Sequence, residues 1–441
     1  MRTMDASKRL RFGLVLLLAT VTPIVALTVT PAWVLPACFV LLAAWMGVTR
    51  IGRLTWTVFQ VGVATIPQRL GSSTVVVVGI AGVVGVLVAI LAIGAGFEQT
   101  LKQTGADDTV IVLGAGAQSE GASTLDNETI SIISQAPQIL KNREGQPVES
   151  PEQLIVATLP KKNSRLNASV PMRGVGEHVR EVRPHIRITA GRNFKPGLRE
   201  LIVGKGAHEK FAGLDVGSTV KFDGESWAVV GIFDSGDAHN SELWADTDLV
   251  GSTYRHTGGS TSLTLRLIDA GAFDAFKTGL GTDPRLKVDV ETTRQYYNRQ
   301  SQAFSRIIKL VGMTVGAIMA VGAIFGALNA TYLAIARRTR EIATLRAIGF
   351  RRIPVIVSVL LETMMLGAFG GAIGAAISWA IFDNFTAATL GTSGQVVFAF
   401  NVSPEVVWSG FKAALGIGFI GGLFPAARTA YLPIVTGLCK L

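Results

Sequence analysis

The segment that decides the fold is residues 337–352, RRTREIATLRAIGFRR, which lies between two long apolar stretches. By the positive-inside rule, its density of arginine places it on the cytoplasmic side of a membrane. Ile342, Leu345 and Ile348 recur at helical spacing and could face a soluble partner. The pattern predicts a short cytoplasmic helix, held between two membrane spans, through which a partner acts on the protein.

The composition is that of a membrane protein. The 441 residues are 49% hydrophobic and 16% charged, with a mean hydropathy of +0.42, which is too apolar for an ordinary soluble domain. The formal charge of +10 comes from Lys and Arg at the ends of apolar runs, without a basic stripe that carries aromatics, so nucleic acid is excluded as a partner. Two cysteines, Cys38 and Cys439, exclude a disulfide scaffold.

The first apolar run, residues 12–49, has no charged residue and is interrupted by three prolines. It predicts two short spans that form a hairpin, because a single long span would place the basic N-terminal residues outside. A cleaved signal peptide is the alternative, although no convincing small-x-small cleavage site precedes a polar region. Residues 72–97, 310–336, 353–382 and 406–427 predict further spans, which brings the total to about six.

These runs predict a polytopic α-helical membrane protein with a large α+β periplasmic domain. About four spans follow the N-terminal hydrophobic hairpin, and the domain is inserted between the first of them and the next. The predicted parts are the hairpin (1–50), an interfacial segment with the first of these spans (51–97), the periplasmic domain (98–303), a stalk helix (304–336), the cytoplasmic coupling segment (337–352), a third span (353–383), a periplasmic loop (384–402), the last span (403–427) and a cytoplasmic tail (428–441).

Two charged residues interrupt the later apolar runs. Glu362 would lie near mid-membrane if its span starts at Ile353, at a cost of roughly 2.5 to 3.5 kcal/mol. If the crossing starts at Met364 instead, Glu362 lies near the headgroups, and this second placement is favoured because intramembrane charges are rare. Lys412 falls in the first turns of the last span and is expected to extend its long side chain to the outer interface. The two residues lie toward opposite membrane faces, so we do not expect them to pair.

The outward domain reads as mixed α+β. Short segments rich in Val, Ile, Phe and Thr predict strands that begin at Thr109, Ser169, Glu200, Thr219, Trp227, Ser262 and Lys287. Residues 127–135, 207–211 and 272–280 predict helices. The small polar residues 118–124 predict a mobile loop. A domain of about two hundred residues can bury its own core.

Catalytic and metal-site patterns are missing from this domain. Its five histidines lack the spacing of metal ligands, no G-x-S-x-G element occurs, and no G-x-x-x-x-G-K-[ST] phosphate loop is present in the chain. We therefore expect no catalytic residue, no metal and no bound cofactor. The acidic stretch 234–246, DSGDAHNSELWAD, is the candidate contact for a periplasmic partner, through Asp234, Asp237, Glu242 and Trp244.

Three parts of the chain resemble one permease family. They are TREIATLRAIGFRR (339–352), GLFPAARTAYLPIVTGL (422–438), and, in the outward domain, ITAGRNF from Ile188 with ELIVGKGAHEKFAGLDVGSTVKFDGESWAVVGIFD (200–234). They are similar to the mechanotransmission-type ABC permeases that include MacB, LolC, LolE and FtsX. Glu362 also sits where that family commonly has a glutamate. The resemblance implies that an ATPase subunit is contacted by Arg338, Arg340, Glu341, Ile342, Leu345, Arg346, Ile348 and Gly349.

The resemblance runs from about residue 63 to the end, and the N-terminal hairpin departs from the four-span pattern. It implies a bacterial inner-membrane location, a permease dimer with a second copy or a paralogue, and a separate ATPase that binds ATP and Mg. The function it implies is ATP-driven export or extraction, with a periplasmic adaptor and outer-membrane channel or a lipoprotein carrier as further partners. Regulation of periplasmic cell-wall hydrolases, or a membrane sensor without ATP coupling, are the alternatives.

Overall fold

A computed structural model of the chain describes residues 31, 33–65, 67, 70–162, 167–255, 258–337, 339–348, 352–383, 385–391 and 394–430. These residues form two compact units. One, the helical unit, contains Arg306–Phe385, the chain up to Ala95 and the chain from Phe400 onward. The other, the core unit, contains Gly96–Ser305 and Thr386–Ala399. The first half of the predicted N-terminal hairpin and the tail from residue 431 lie outside the described residues.

The described helical unit is built from helices, and short helices flank the strands of the core unit. In chain order they are α1 (Val34–Val48), α2 (Arg50–Ala64), α3 (Leu70–Thr104), α4 (Asn127–Ile133), α5 (Val179–Val182), α6 (Lys205–Lys210), α7 (Thr247–Thr253), α8 (Phe273–Thr282), α9 (Thr293–Arg337), α10 (Thr339–Ala347), α11 (Arg352–Phe382) and α12 (Pro404–Ala430). Both α3 and α9 have residues in each unit.

Within the described ranges, α3, α9, α11 and α12 are long and apolar enough to cross a membrane. Helices α1 and α2 meet at 103° and pass the same test only as a pair. The expectation of a polytopic α-helical membrane protein is thus confirmed. The long helices exceed the predicted apolar runs, because α3 continues to Thr104 and α9 begins at Thr293.

Glycines allow the spans to pack closely. A Cβ atom at Gly374 of α11 would overlap the backbone of Ala81 in α3, and one at Gly422 of α12 would overlap the side chain of Thr363 in α11. Small residues at such crossings let helix backbones approach each other in a membrane. The apolar core of the helical unit is formed by these helices together with α9, through residues such as Ile80 and Ile324.

The core unit is built on one large mixed sheet. The strands of the unit are β1 (Thr109–Gly114), β2 (Leu125–Asp126), β3 (Glu149–Pro160), β4 (Asn167–Val175), β5 (Arg187–Gly191), β6 (Glu200–Gly204), β7 (Thr219–Phe222), β8 (Glu225–Asp234), β9 (Leu243–Asp246), β10 (Gly259–Ser260), β11 (Ser262–Arg266), β12 (Val288–Thr292), β13 (Thr386–Gly391) and β14 (Gly394–Ala399). Strands β2 and β10, and strands β13 and β14, form two separate two-stranded sheets.

The sheet has the order β12-β1-β11-β3-β4-β9-β6-β8-β5, and β7 pairs with β8. The β4–β9 and β6–β8 pairs are parallel and the others are antiparallel. All the predicted strands are present with shifts of a few residues at their ends, as are the three predicted helices. The expected α+β character is therefore confirmed.

Two segments differ from the sequence-based expectation. The predicted periplasmic loop (384–402) contains the antiparallel hairpin β13–β14, which belongs to the core unit. The predicted mobile loop (118–124) contains the 3-10 helix Glu120–Ala122, and Glu120 is buried. The expectation of a mobile loop is wrong there, because Glu120 binds a buried arginine across the sheet.

Candidate coupling site and buried charge network

The coupling segment forms a separate short helix, α10, between the long helices α9 and α11. Ile342 of α10 is half-buried and lines a cavity of about 40 Å³ together with Glu362. Ile348, just after α10, is 73% exposed. The two isoleucines lie about 120° apart around a helix at 100° per residue, which explains why one packs inward and the other faces out.

The remaining predicted coupling residues are only partly described. Glu341 is exposed and Arg346 is half-buried. Arg338 and Gly349 lie outside the described residues, and the side chains of Arg340 and Leu345 do as well. Of the two predicted apolar positions whose side chains are described, Ile342 packs within the helical unit and Ile348 is accessible.

Glu362 lies within the continuous helix α11 and is only 7% exposed. This helix runs without a break from Arg352 to Phe382, so no new helix begins at Met364. The favoured prediction, a crossing that starts at Met364, is not matched by the ends of the helix. The cavity that Glu362 lines is also lined by three hydroxyl-bearing residues, Ser73, Thr331 and Thr363. At about 40 Å³ it is large enough for at least one water.

Lys412 is buried in α12, with 4% of its surface exposed. The side chain is therefore packed against protein, and the expected extension to the outer interface is not observed. The close approaches between α11 and α12 fix its level relative to Glu362. Thr363 lies opposite Gly422, whereas Ala414 lies opposite Gly371. Since a helix rises 1.5 Å per residue, Glu362 and Lys412 are separated by roughly two to three turns along the helix axis.

Arg173 of β4 is the centre of a buried charge network in the core unit. Its Nε donates to Glu242 Oε2 at 2.8 Å and its Nη2 to Glu242 Oε1 at 2.9 Å. Its Nη1 donates to Glu152 Oε2 at 2.7 Å and also to Glu120. All four side chains are buried, and one guanidinium pairs with three carboxylates, which come from β3, from the 3-10 helix at Glu120 and from the residue before β9.

A second arginine, Arg183, donates to both carboxylate oxygens of Glu152. Glu242 in turn receives hydrogen bonds from Trp244 Nε1 at 2.7 Å, and its Oε2 lies 3.1 Å from His239 Nδ1. Burial raises the pKa of Glu242, but attraction to Arg173 and His239 outweighs it and holds that pKa well below the ordinary 4.5. The Glu242 carboxylate is therefore ionised at neutral pH.

The acidic stretch predicted as a partner contact is largely interior. Asp237, Glu242 and Trp244 are buried, where they serve the network and the core around Phe233, so these three side chains do not form an exposed contact. Asp234 is half-buried and lies 3.6 Å from Lys205, through Oδ2 and Nζ. Among the described residues, no group of His, Cys, Asp and Glu is arranged to hold a metal ion.

Sequence reasoning missed the network because its members are far apart in the chain. Glu120, Glu152, Arg173 and Arg183 come from four separate elements, and only the fold brings them together. One local signal existed. Arg173 stands inside an otherwise apolar predicted strand, where a charge is rarely buried unless it is paired.

Comparison with known proteins supports the assignment of both units. Residues 73–282 match the MacB-like periplasmic core domain, and residues 313–434 match the FtsX-like permease C-terminal family. The chain is a MacB/FtsX-type ABC transporter permease. The order of the two matches is the one that the resemblance predicted, with the core domain ahead of the last spans.

Curated relatives of the permease are macrolide export ATP-binding/permease proteins named MacB. The protein of Neisseria meningitidis serogroup A is 25% identical over 309 residues, which cover 64% of this chain and 45% of the relative. The protein of Bordetella avium is 24% identical over 396 residues, which cover 83% of this chain and 56% of the relative. The permease thus spans about half the length of these relatives.

A solved structure, the periplasmic region of MacB from Actinobacillus actinomycetemcomitans, is similar over 46% of the permease and 92% of that chain. The two are 14% identical in sequence and superpose with a TM-score of 0.33.

Proposed function

We propose that this permease couples ATP hydrolysis on a separate ATPase subunit to movement of its core unit, and that this movement exports or extracts a substrate. The observation that carries the proposal is the arrangement of α10. Ile348, just after this short helix, is available to a partner, and Ile342 within the helix lines the same cavity as Glu362. A partner that displaces α10 would therefore displace the helices that line the same cavity.

The chemistry of the segment suits a protein groove with an acidic rim. Ile348 would be the buried anchor of the contact, and the arginines around it would pair with carboxylates at the edge. A displacement of α10 would be passed on to α9 and α11, because closely packed helices move as rigid bodies rather than deform. Both α3 and α9 have residues in the core unit, so no flexible linker is needed to transmit the movement.

In this proposal the permease binds no cofactor itself, and ATP and Mg belong to the ATPase. The permease acts as a dimer in the bacterial inner membrane with its core unit in the periplasm. Its cargo comes from the periplasm or from the outer leaflet of that membrane. The partner on the periplasmic side is an adaptor with an outer-membrane channel, or a lipoprotein carrier.

Regulation of periplasmic cell-wall hydrolases is the second candidate, favoured by the match of residues 313–434 to the FtsX-like permease family. The match of residues 73–282 to the MacB-like core domain favours export instead. Pull-down with the full permease discriminates between the two. Capture of a hydrolase would support the second candidate, and capture of an adaptor or a lipoprotein carrier would support the first.

The coupling proposal is tested by the substitution Ile348→Asp, alone and with Leu345→Asp. We expect the variant to lose ATP-dependent movement of the core unit, because a carboxylate cannot enter an apolar groove without a large desolvation cost. The matched control is Ile268→Asp, at an isoleucine of the core unit that is 60% exposed. Unchanged ATPase association and turnover in Ile348→Asp would contradict the proposal.

A further inference from the structure

The core unit carries a junction at which several separate elements meet, the turn Asp237–Glu242. This turn contains the 3-10 helix Ala238–Ser241, and Asp237 begins it by accepting a hydrogen bond from His239 N at 2.9 Å. Asn240 ties the turn to the end of β8, because its Nδ2 donates to Asp234 Oδ1 at 3.0 Å. The last residue of the turn, Glu242, forms an ion pair with Arg173. The turn is thus fixed to the sheet at both ends.

The end of helix α3 is bound to this turn. Thr104 is the last residue of α3, and its hydroxyl oxygen accepts a hydrogen bond from Ala238 N at 3.1 Å. The same hydroxyl donates to Thr100 O at 2.9 Å, so its orientation is fixed by the helix. This is a buried contact between residues that are 134 positions apart in the chain.

The β13–β14 hairpin is bound to the same turn. Val397 N of β14 donates to Ser241 Oγ at 2.7 Å. Gly206 of α6 lies directly beneath this contact, because a Cβ atom added there would lie 3.0 Å from Asn240 O and 3.4 Å from Val397 Cβ. A larger side chain at this position would therefore press against both β14 and the turn.

Three aromatic rings hold the same region together. Phe97 of α3 lies 4.2 Å from Phe304 of α9 and 5.6 Å from Phe398 of β14, measured between ring centroids. Phe97 and Phe398 are both buried. Aromatic pairs in these geometries contribute roughly 0.5 to 1.5 kcal/mol each beyond the area they bury. The hairpin is thus packed against α3, and the same ring of α3 contacts α9.

We propose that the β13–β14 hairpin is a second route of transmission, which stays bound to the Asp237–Glu242 turn throughout the cycle and carries movement of α11 and α12 into the core unit. Three residues lie between Phe382, the end of α11, and the hairpin, and four lie between the hairpin and Pro404, the start of α12. Connections this short leave little slack between the hairpin and its two helices. The proposal rests on the proposed function, since it assigns the positions through which ATP-driven movement passes.

The test uses the full permease in lipid nanodiscs with its co-purified ATPase, in a background with Cys38→Ser and Cys439→Ser. Labels at Gln60→Cys in α2 and Glu144→Cys in the core unit report the distance change on addition of ATP. The labelled permease without further substitutions shows whether ATP moves the core unit at all. Absence of any change in that protein would contradict the proposed function itself.

The hairpin is then displaced by Gly206→Leu combined with Ser241→Ala. We expect the ATP-dependent distance change to fall by at least half, whereas ATPase association is retained. The matched control is Gly279→Leu, at a helical glycine of the same unit with open space around its Cβ position. The control should show the same ATP-dependent distance change as the labelled protein without these substitutions. If Gly206→Leu with Ser241→Ala also showed that full change, the second route would be overturned and the proposed function would stay intact.

A cross-link keeps the proposal testable if the displaced variant does not fold. Gly206→Cys with Val397→Cys brings two Cβ atoms to about the separation of a disulfide, which spans roughly 3.5 to 4.5 Å between Cβ atoms. A chemical label that reads the distance between residues 60 and 144 independently of thiols is used here. We expect the oxidised protein to keep the full ATP-dependent change. Loss of the change on oxidation and its return on reduction would overturn the proposal, because the hairpin would then have to leave the turn.

Discussion

Arg173 and Glu242 form a two-pronged ion pair in the interior of the core unit, with N–O distances of 2.8 and 2.9 Å. Neither partner is available to solvent, and Arg173 also binds the carboxylates of Glu120 and Glu152. The pair joins β4 to the turn that receives the end of α3 and the β13–β14 hairpin. The buried charge network and the Asp237–Glu242 turn therefore share Glu242.

Removal of Arg173 is expected to destabilise the core unit strongly. In Arg173→Met the three carboxylates lose their common counter-ion, and removal of one partner of a buried pair costs about 3 to 5 kcal/mol. Hydrogen exchange of β4 and β9 in the full-length protein measures the loss. The control is Arg192→Met, whose ion pair with Glu200 is exposed and should matter little. Equal protection in the two variants would contradict the structural role of the network.

Acid should weaken the core unit through the same carboxylates. Burial raises the pKa of Glu152, but Arg183 and Arg173 outweigh it and lower that pKa below 4.5, as happens for Glu242. A depressed pKa in the folded state contributes stability above the unfolded value, and this stability is lost as the pH falls through the folded pKa. We expect protection of β4 to be constant from pH 7 to about 5 and to decline below 4.5.

The control for the acid prediction is Glu242→Gln. This variant should start less stable and show a shallower decline, because one of the titrating groups has been removed. A decline of unchanged steepness in Glu242→Gln would show that other carboxylates, and not this network, set the acid limit.

Close packing of the spans predicts that alanine substitution at two different glycines has opposite effects on stability. Gly374→Ala places a Cβ atom against the backbone of Ala81, and overpacking of this kind costs roughly 1 to 3 kcal/mol. Gly322→Ala in α9 meets open space and should be neutral or slightly stabilising, because Ala is the better helix former. Thermal unfolding in detergent should rank Gly374→Ala below and Gly322→Ala at or above the unsubstituted protein. The reverse ranking would contradict the α3–α11 contact.

Much of the fold could be predicted from local patterns. Runs of β-branched residues such as those from Thr109 and Ser262 identified strands, since such side chains favour a pleated, half-buried surface. Strand β3 was missed because it begins Glu-Ser-Pro-Glu, which resembles a loop. The hairpin β13–β14 was missed because its first strand consists mainly of small residues, and its partners on the core unit are distant in sequence.

The candidate site could be predicted only in outline. The arginine pattern located the coupling segment, yet the contact of Ile342 with the Glu362 cavity depends on how four helices pack. The acidic stretch around Glu242 was interpreted as a surface because charge is usually exposed. Its burial depends on Arg173, which lies 69 residues earlier in the chain and reaches Glu242 only through the pairing of β4 with β9.

The most direct test of the central claim is a photo-cross-linking amino acid at Ile348 of the full permease, activated in intact cells and followed by mass spectrometry. We expect a covalent adduct with an ABC ATPase subunit, and none from the same cross-linker at Ile268 in the core unit. An adduct of position 348 with a periplasmic protein, or with lipid alone, would contradict it.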